Sequence, residues 1–156
     1  MIQRIQTVYL FIVAGLFIAL MFLPIAVLQS GDRFYSFEVS GLNTITQPSE
    51  LIYPTWSLMA LAAIIILLSF VIIFMYKKRV FQIRMCIFNA LLMIGFCALF
   101  GFYIWQFGKS PEQLPDMKLN IRIWAAFPVI ALILNGLAIR NIGADEVLVR
   151  SLERLR

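Results

Sequence analysis

Histidine is absent from this chain, cysteine occurs twice, and charged residues make up only 13% of its 156 positions. Each shortage narrows the chemistry. Without histidine, the commonest general base and metal ligand is missing. The two cysteines, Cys86 and Cys97, stand 11 residues apart in one apolar stretch. That is about 16 Å along a helix, too far for them to bridge each other, and they read as small packing residues. No carboxylate interrupts the apolar stretches, which removes the usual residue of a proton relay or a cation-coupled transporter. Asp32, Glu38, Glu50, Glu112 and Asp116 lie between the stretches, but nothing in their spacing selects an acid/base pair. Neither an enzyme activity, a cofactor nor a metal is expected.

What is abundant is apolar: 62% of the residues, with a net charge of +5. Too little polar surface remains to clothe a soluble globule. Four apolar stretches stand out, at about 8–28, 56–76, 85–105 and 121–139, and only Arg122 intrudes, at the start of the fourth. As helices they reach roughly 28–32 Å, the thickness of a hydrocarbon core, where every backbone group must be satisfied internally. The expected fold is therefore all-α: a four-helix transmembrane antiparallel bundle forming one domain over residues 1–156. The first stretch is longer than the apolar region of a secretion signal, and no convincing cleavage site follows it, so it is expected to be retained.

Charge orients the bundle. With both termini in the cytoplasm, the inner segments hold Arg4, Lys77, Lys78, Arg79, Arg84, Arg140, Arg150, Arg154 and Arg156, and the outer loops hold only Arg33, Lys109, Lys118 and Arg122. This is the positive-inside pattern. Trp56, Trp105 and Trp124 all fall at the expected outer boundary, where aromatic belts form. The basic excess thus describes topology, and no nucleic-acid partner is expected.

The outer loops span about 29–55 and 106–120. In the first, Phe34-Tyr35-Ser36-Phe37-Glu38-Val39 is aromatic and β-branched, and Ser40-Gly41 marks a turn before Leu42-Asn43-Thr44-Ile45-Thr46. This predicts a short extracytoplasmic β-hairpin. It either covers the outer end of the bundle or offers Phe34, Tyr35 and Phe37 to a partner by strand addition. In the second loop, Ser110-Pro111-Glu112 suits the start of a helical turn. Within the spans, Gly15 with Ala19, and Ala90, Cys97 and Gly101, form small-residue stripes that permit close helix approach. Pro24 and Pro128 are expected to bend the first and fourth spans. Asn89 and Asn135, the carboxamides well inside the spans, share one depth near the inner ends; they are expected to face the bundle interior and bond to each other, to a backbone carbonyl or to a partner subunit.

The tail, 140–156, is charged and helix-patterned. Gly143 is placed to relax the end of the fourth span, and Asp145 to cap a new cytoplasmic amphipathic helix with Glu146 in its first turn. Val147, Leu148, Leu152 and Leu155 then share one face, with Arg150 and Arg154 among the charged residues on the rest. Such a helix lies on anionic lipid or docks a protein partner, and both readings stand.

The opening Met1-Ile2-Gln3-Arg4-Ile5-Gln6-Thr7 and the closing Asp145-Glu146, Leu148-Val149-Arg150-Ser151 and Arg154-Leu155-Arg156, spaced by four spans, resemble an uncharacterised four-span membrane family of Bacteroidota-type bacteria, over the whole chain. Gly143 departs from the pattern, where a more helical, charged residue is expected. The resemblance implies a multi-pass protein of a bacterial inner membrane and no mechanism. The leading expectation is a small accessory or scaffolding subunit of an inner-membrane assembly, with the lipid bilayer and other membrane proteins or further copies of the chain as partners. The alternative is a small oligomeric transport or channel component, and a membrane enzyme comes third.

Overall fold

Pro24 stops a helix here instead of bending one. In the computed structural model, which describes residues 3–30, 33–45, 51–75, 79–108 and 118–154, α1 (Gln3–Phe22) ends two residues before Pro24. Proline removes a backbone donor and drives the residue before it out of the helical region. The apolar run therefore continues as a strand, β1 (Ala26–Ser30), where a longer first span was expected. A short apolar run does not by itself distinguish strand from helix.

Four more strands follow: β2 (Arg33–Phe37), β3 (Gly41–Thr44), β4 (Leu51–Pro54) and β5 (Lys118–Ile121). They form an antiparallel sheet in the order β4-β3-β2-β1-β5. The expected hairpin is present as β2–β3, with Phe37 opposite Leu42. Glu38 and Gly41 close its tight turn through N–H···O bonds of 2.9 and 3.3 Å. The sheet around it was not expected, because β1 hides in an apolar stretch and β5 comes from the far side of two helices.

The other helices are α2 (Trp56–Phe74), α3 (Arg79–Gly108) and α4 (Phe127–Arg154), the last preceded by a 3-10 turn at Ile123–Ala126. Pro128 occupies the first turn of α4, where its missing N–H costs nothing, so it opens this helix and does not kink it. Each helix packs on two others, α1 on α2 and α4, α3 on α2 and α4. The buried positions recur at spacings of four and three residues on all four: Gln6, Leu10, Val13, Phe17 and Leu20; Leu58, Ala62, Ile65, Ser69 and Ile72; Gln82, Cys86, Asn89, Met93 and Phe96; Ala131, Asn135, Ala138 and Ile142. That repeat belongs to helices meeting at a shallow left-handed crossing.

The opposite faces are apolar too, with Phe11, Leu67, Leu91 and Ile133 about 60% exposed or more. All four helices are long and apolar enough to cross a membrane. The sheet lies over one end of this assembly. Its residues Ile25, Ala26, Leu28, Tyr35, Phe37, Val39 and Leu42 join Phe17, Leu20, Leu58, Phe96 and Phe107 in one core, while Leu10, Ile72, Cys86, Ala138 and Ile142 form a second core toward the other end.

Candidate functional site

Between the two cores runs a polar layer, built by one residue from each of three helices. On α2, Ser69 separates Ile65 of one core from Ile72 of the other; on α3, Asn89 lies between Cys86 and Met93; on α4, Asn135 lies between Ala131 and Ala138. All three are fully buried. Asn89 Nδ2 donates to Ser69 Oγ at 3.0 Å, and Ser69 Oγ donates to the carbonyl of Ile65 at 2.8 Å. Asn135 Nδ2 donates to the carbonyl of Cys86 at 2.8 Å. The layer ties α2 to α3 and α3 to α4, each through a bond that has no competing water in an apolar interior.

Both asparagines therefore face the bundle interior, as the sequence suggests, though they meet Ser69 and Cys86 and not each other. Their depth differs from the expectation. Because α3 begins at Arg79, Asn89 lies about 15 Å from its start; and because α4 runs on to Arg154, Asn135 stands well inside that helix too. Two further carboxamides lie on the same inward stripes: Gln6 and Gln82 are each 5% exposed, and Gln82 Nε2 donates to the carbonyl of Ile72 at 3.1 Å. Beside Arg4 and Arg84 they look interfacial in the sequence; their register with Leu10 and Cys86 is the signal that finds them. Among the described residues, Gln6 Nε2, Asn89 Oδ1 and Asn135 Oδ1 are buried without a hydrogen-bond partner.

The sheet is the second candidate, and here the expected partner-binding residues need correcting. Phe37 is fully buried, its ring tilted against Phe100 and edge-on to Phe107 at centroid distances of 5.6 and 5.7 Å, and Tyr35 is 6% exposed. Residues directly opposite in an antiparallel ladder share a face. The register thus lines up Tyr53, Leu42, Phe37, Ala26 and Ile121 in one row, and Tyr35, Leu28 and Leu119 in a second, all on the side that meets the helices. Of the three aromatics only Phe34, 45% exposed, is on offer. Moreover β2 is paired on both sides, by β1 and β3, so its backbone accepts no further strand. The hairpin covers the bundle end.

Its turn is tied down as well. Ser36 Oγ, Ser40 Oγ and Asn43 Nδ2 donate to the Glu38 carboxylate at 3.3, 3.4 and 3.4 Å. The fully buried Thr55, at the threshold of α2, spends its hydroxyl on the Val39 carbonyl at 3.0 Å, linking turn to helix. Ser57 and Tyr103 add a 2.7 Å hydroxyl–hydroxyl bond between α2 and α3 beneath the sheet.

At the other end, the expected break at Gly143 does not occur. Gly143 is helical within an unbroken α4, so Asp145 and Glu146 lie mid-helix and not at a helix start. Glycine in a helix costs only about 1 kcal/mol against alanine, and the fully buried Ile142 holds the chain against α1, α2 and α3 through the second core. Val147 and Leu148 are 67% and 53% exposed. The side chains of Arg150, Leu152 and Arg154, all of Leu155, and the anticipated helical turn at Ser110-Pro111-Glu112 lie outside the described residues. Likewise the two glycines of the small-residue stripes admit no close helix approach within the chain: a Cβ added at Gly15 or Gly101 meets nothing within 4 Å.

Among the described residues no group of three or more histidine, cysteine, aspartate or glutamate side chains is placed to hold a metal ion. A comparison with protein families matches residues 2–155 to DUF4293, described as a domain of unknown function. A comparison with curated proteins finds no match.

Proposed function

Because the chain belongs to the DUF4293 family, a domain of unknown function, we propose its role from its own geometry: a small accessory or scaffolding subunit of a bacterial inner-membrane assembly, with no catalytic activity of its own. The observation that carries this reading is the unbroken α4. At 28 residues it is about 42 Å long against a hydrocarbon core of about 30 Å. Its last turns, with Val147 and Leu148 outward, form a stiff continuation of a span and not a hinged tail. A rigid extension held at a fixed angle presents the same surface to every partner, and little conformational entropy is lost on docking.

The arginine and lysine distribution supports both termini lying in the cytoplasm, with the sheet on the outer face. A photo-crosslinker placed at Val147 or Leu148 in native membranes is expected to trap one discrete protein adduct, absent from a control site at Ile133 on the lipid-facing side. Adducts to lipid alone at both sites would remove the proposal.

A second reading, a transport or channel component, is favoured by the buried unpaired atoms of Gln6, Asn89 and Asn135. Against it, the layer of Ser69, Asn89 and Asn135 is flanked by an apolar cluster on either side. Solute flux through reconstituted vesicles that is lost in Asn89→Leu would support it.

A further inference from the structure

One edge of the sheet leaves its apolar face uncovered. Along the row Leu42, Phe37, Ala26, Ile121, exposure is 1%, 0%, 0% and then 56%; along the row Tyr35, Leu28, Leu119 it is 6%, 1% and then 36%. The inner three strands rest on helix ends, and β5 overhangs them. The chain then continues through Ile123, 76% exposed, into α4, while the Arg122 N–H bonds the Ile25 carbonyl at 3.1 Å. That bond brings the end of α1, with Phe22 81% exposed, to the same corner. An apolar overhang facing the helix side of the sheet faces the bilayer if the helices span it, and this inference rests on that reading.

The same corner carries a cation. Arg122 is exposed, and from residue 119 to 131 the sequence holds no carboxylate. A guanidinium at the polar boundary, with Ile121, Ile123 and Phe22 around it, matches a phospholipid end to end: planar N–H donors for the phosphate, apolar side chains for the first acyl carbons. A zwitterionic headgroup would bring an ammonium group, for which this segment supplies no carboxylate. The geometry points to a site for one anionic phospholipid of the sheet-side leaflet, its phosphate on Arg122 and its chain against Ile121, Ile123 and Phe22.

Trp124, next to the site, reports on it. The full-length chain carrying Trp56→Phe and Trp105→Phe keeps Trp124 as its only tryptophan. It is placed in phosphatidylcholine nanodiscs containing a trace of acyl-brominated phosphatidylglycerol or, separately, acyl-brominated phosphatidylcholine. The anionic quencher is expected to act at about fivefold lower mole fraction, the ratio that corresponds to about 1 kcal/mol for one arginine at a membrane surface. Arg122→Gln should bring the two quenchers level. Equal quenching in the parent, a preference that survives Arg122→Gln, or protection from both quenchers, as when a second copy covers the corner, overturns the assignment. If the tryptophan variant does not fold, native mass spectrometry of the unmodified chain and Arg122→Gln counts retained phosphatidylglycerol, with equal counts again overturning it. Failure to enter nanodiscs at all would instead sink the membrane-spanning reading.

Discussion

Asn89 and Asn135 are the residues on which the interior is most exposed to test. Each makes one interhelical hydrogen bond and leaves one buried oxygen unpaired. Bonds of this kind contribute roughly 0.6–2 kcal/mol in a bilayer. Replacing both with leucine removes two such bonds and is expected to lower unfolding stability by roughly 1–4 kcal/mol, as read by steric trapping in bicelles. An unchanged stability would mean that the polar layer ties nothing. Gly143 gives the opposite sign. It is helical, and an added Cβ there meets nothing within 4 Å, so Gly143→Ala should stabilise α4 by about 1 kcal/mol. A destabilised alanine variant would argue that the helix does break there. Both residues also mark how the site was legible. The asparagines stand out in the sequence as amides among aliphatics, whereas Ser69, their partner, does not: a lone serine in an apolar helix usually bonds its own backbone, and this one does so while also accepting from Asn89.

At the scale of elements, the sheet and bundle share one core, and Phe37 is its clearest joint. Phe37→Ala should cost about 3–5 kcal/mol, the usual range for a buried phenylalanine, because it removes contacts to Phe100 and Phe107 together. The measurable sign is sheet-side loosening, seen as faster hydrogen exchange at β2 and β3. A loss confined to β3 and β4, or none, would show that the sheet stands without α3. The four long apolar helices were plain from the sequence because apolar length is a strong signal, apart from the end of the first, and the β2–β3 hairpin because Ser40-Gly41 interrupts an alternating pattern. Helix faces were not plain. In a soluble bundle the inward stripe is apolar and the outward one polar, but here Phe11, Leu67 and Leu91 point outward, so amphipathic periodicity is erased and only the rare amides betray the inner face. The strands β1 and β5 were hidden for different reasons. β1 is continuous in hydropathy with α1, and β5 is a four-residue strand whose partner among the described residues lies about 90 residues earlier.

For the whole molecule, the arrangement of charge predicts a topology that fusions can check. Reporters at the N-terminus and after Arg156 should read cytoplasmic, and one inserted between Thr46 and Glu50 should read external; the reverse pattern would invert the proposed orientation. Removing residues 147–156 should leave four inserted spans, because the second core ends at Ile142. Failure of that truncated chain to insert would mean that the last turns are needed to build the bundle. The pairing of β1 with β5 also sets an order of events during synthesis. Four strands leave the ribosome early, between α1 and α2, and can pair with one another at once. The fifth emerges only after α3, so β1 waits with one edge unpaired while most of the remaining chain is translated. An unpaired strand edge invites other chains. A nascent protein halted between residues 108 and 118 is therefore the species that chaperones of the sheet-side compartment should bind, and arrival of β5 is the moment at which they should let go.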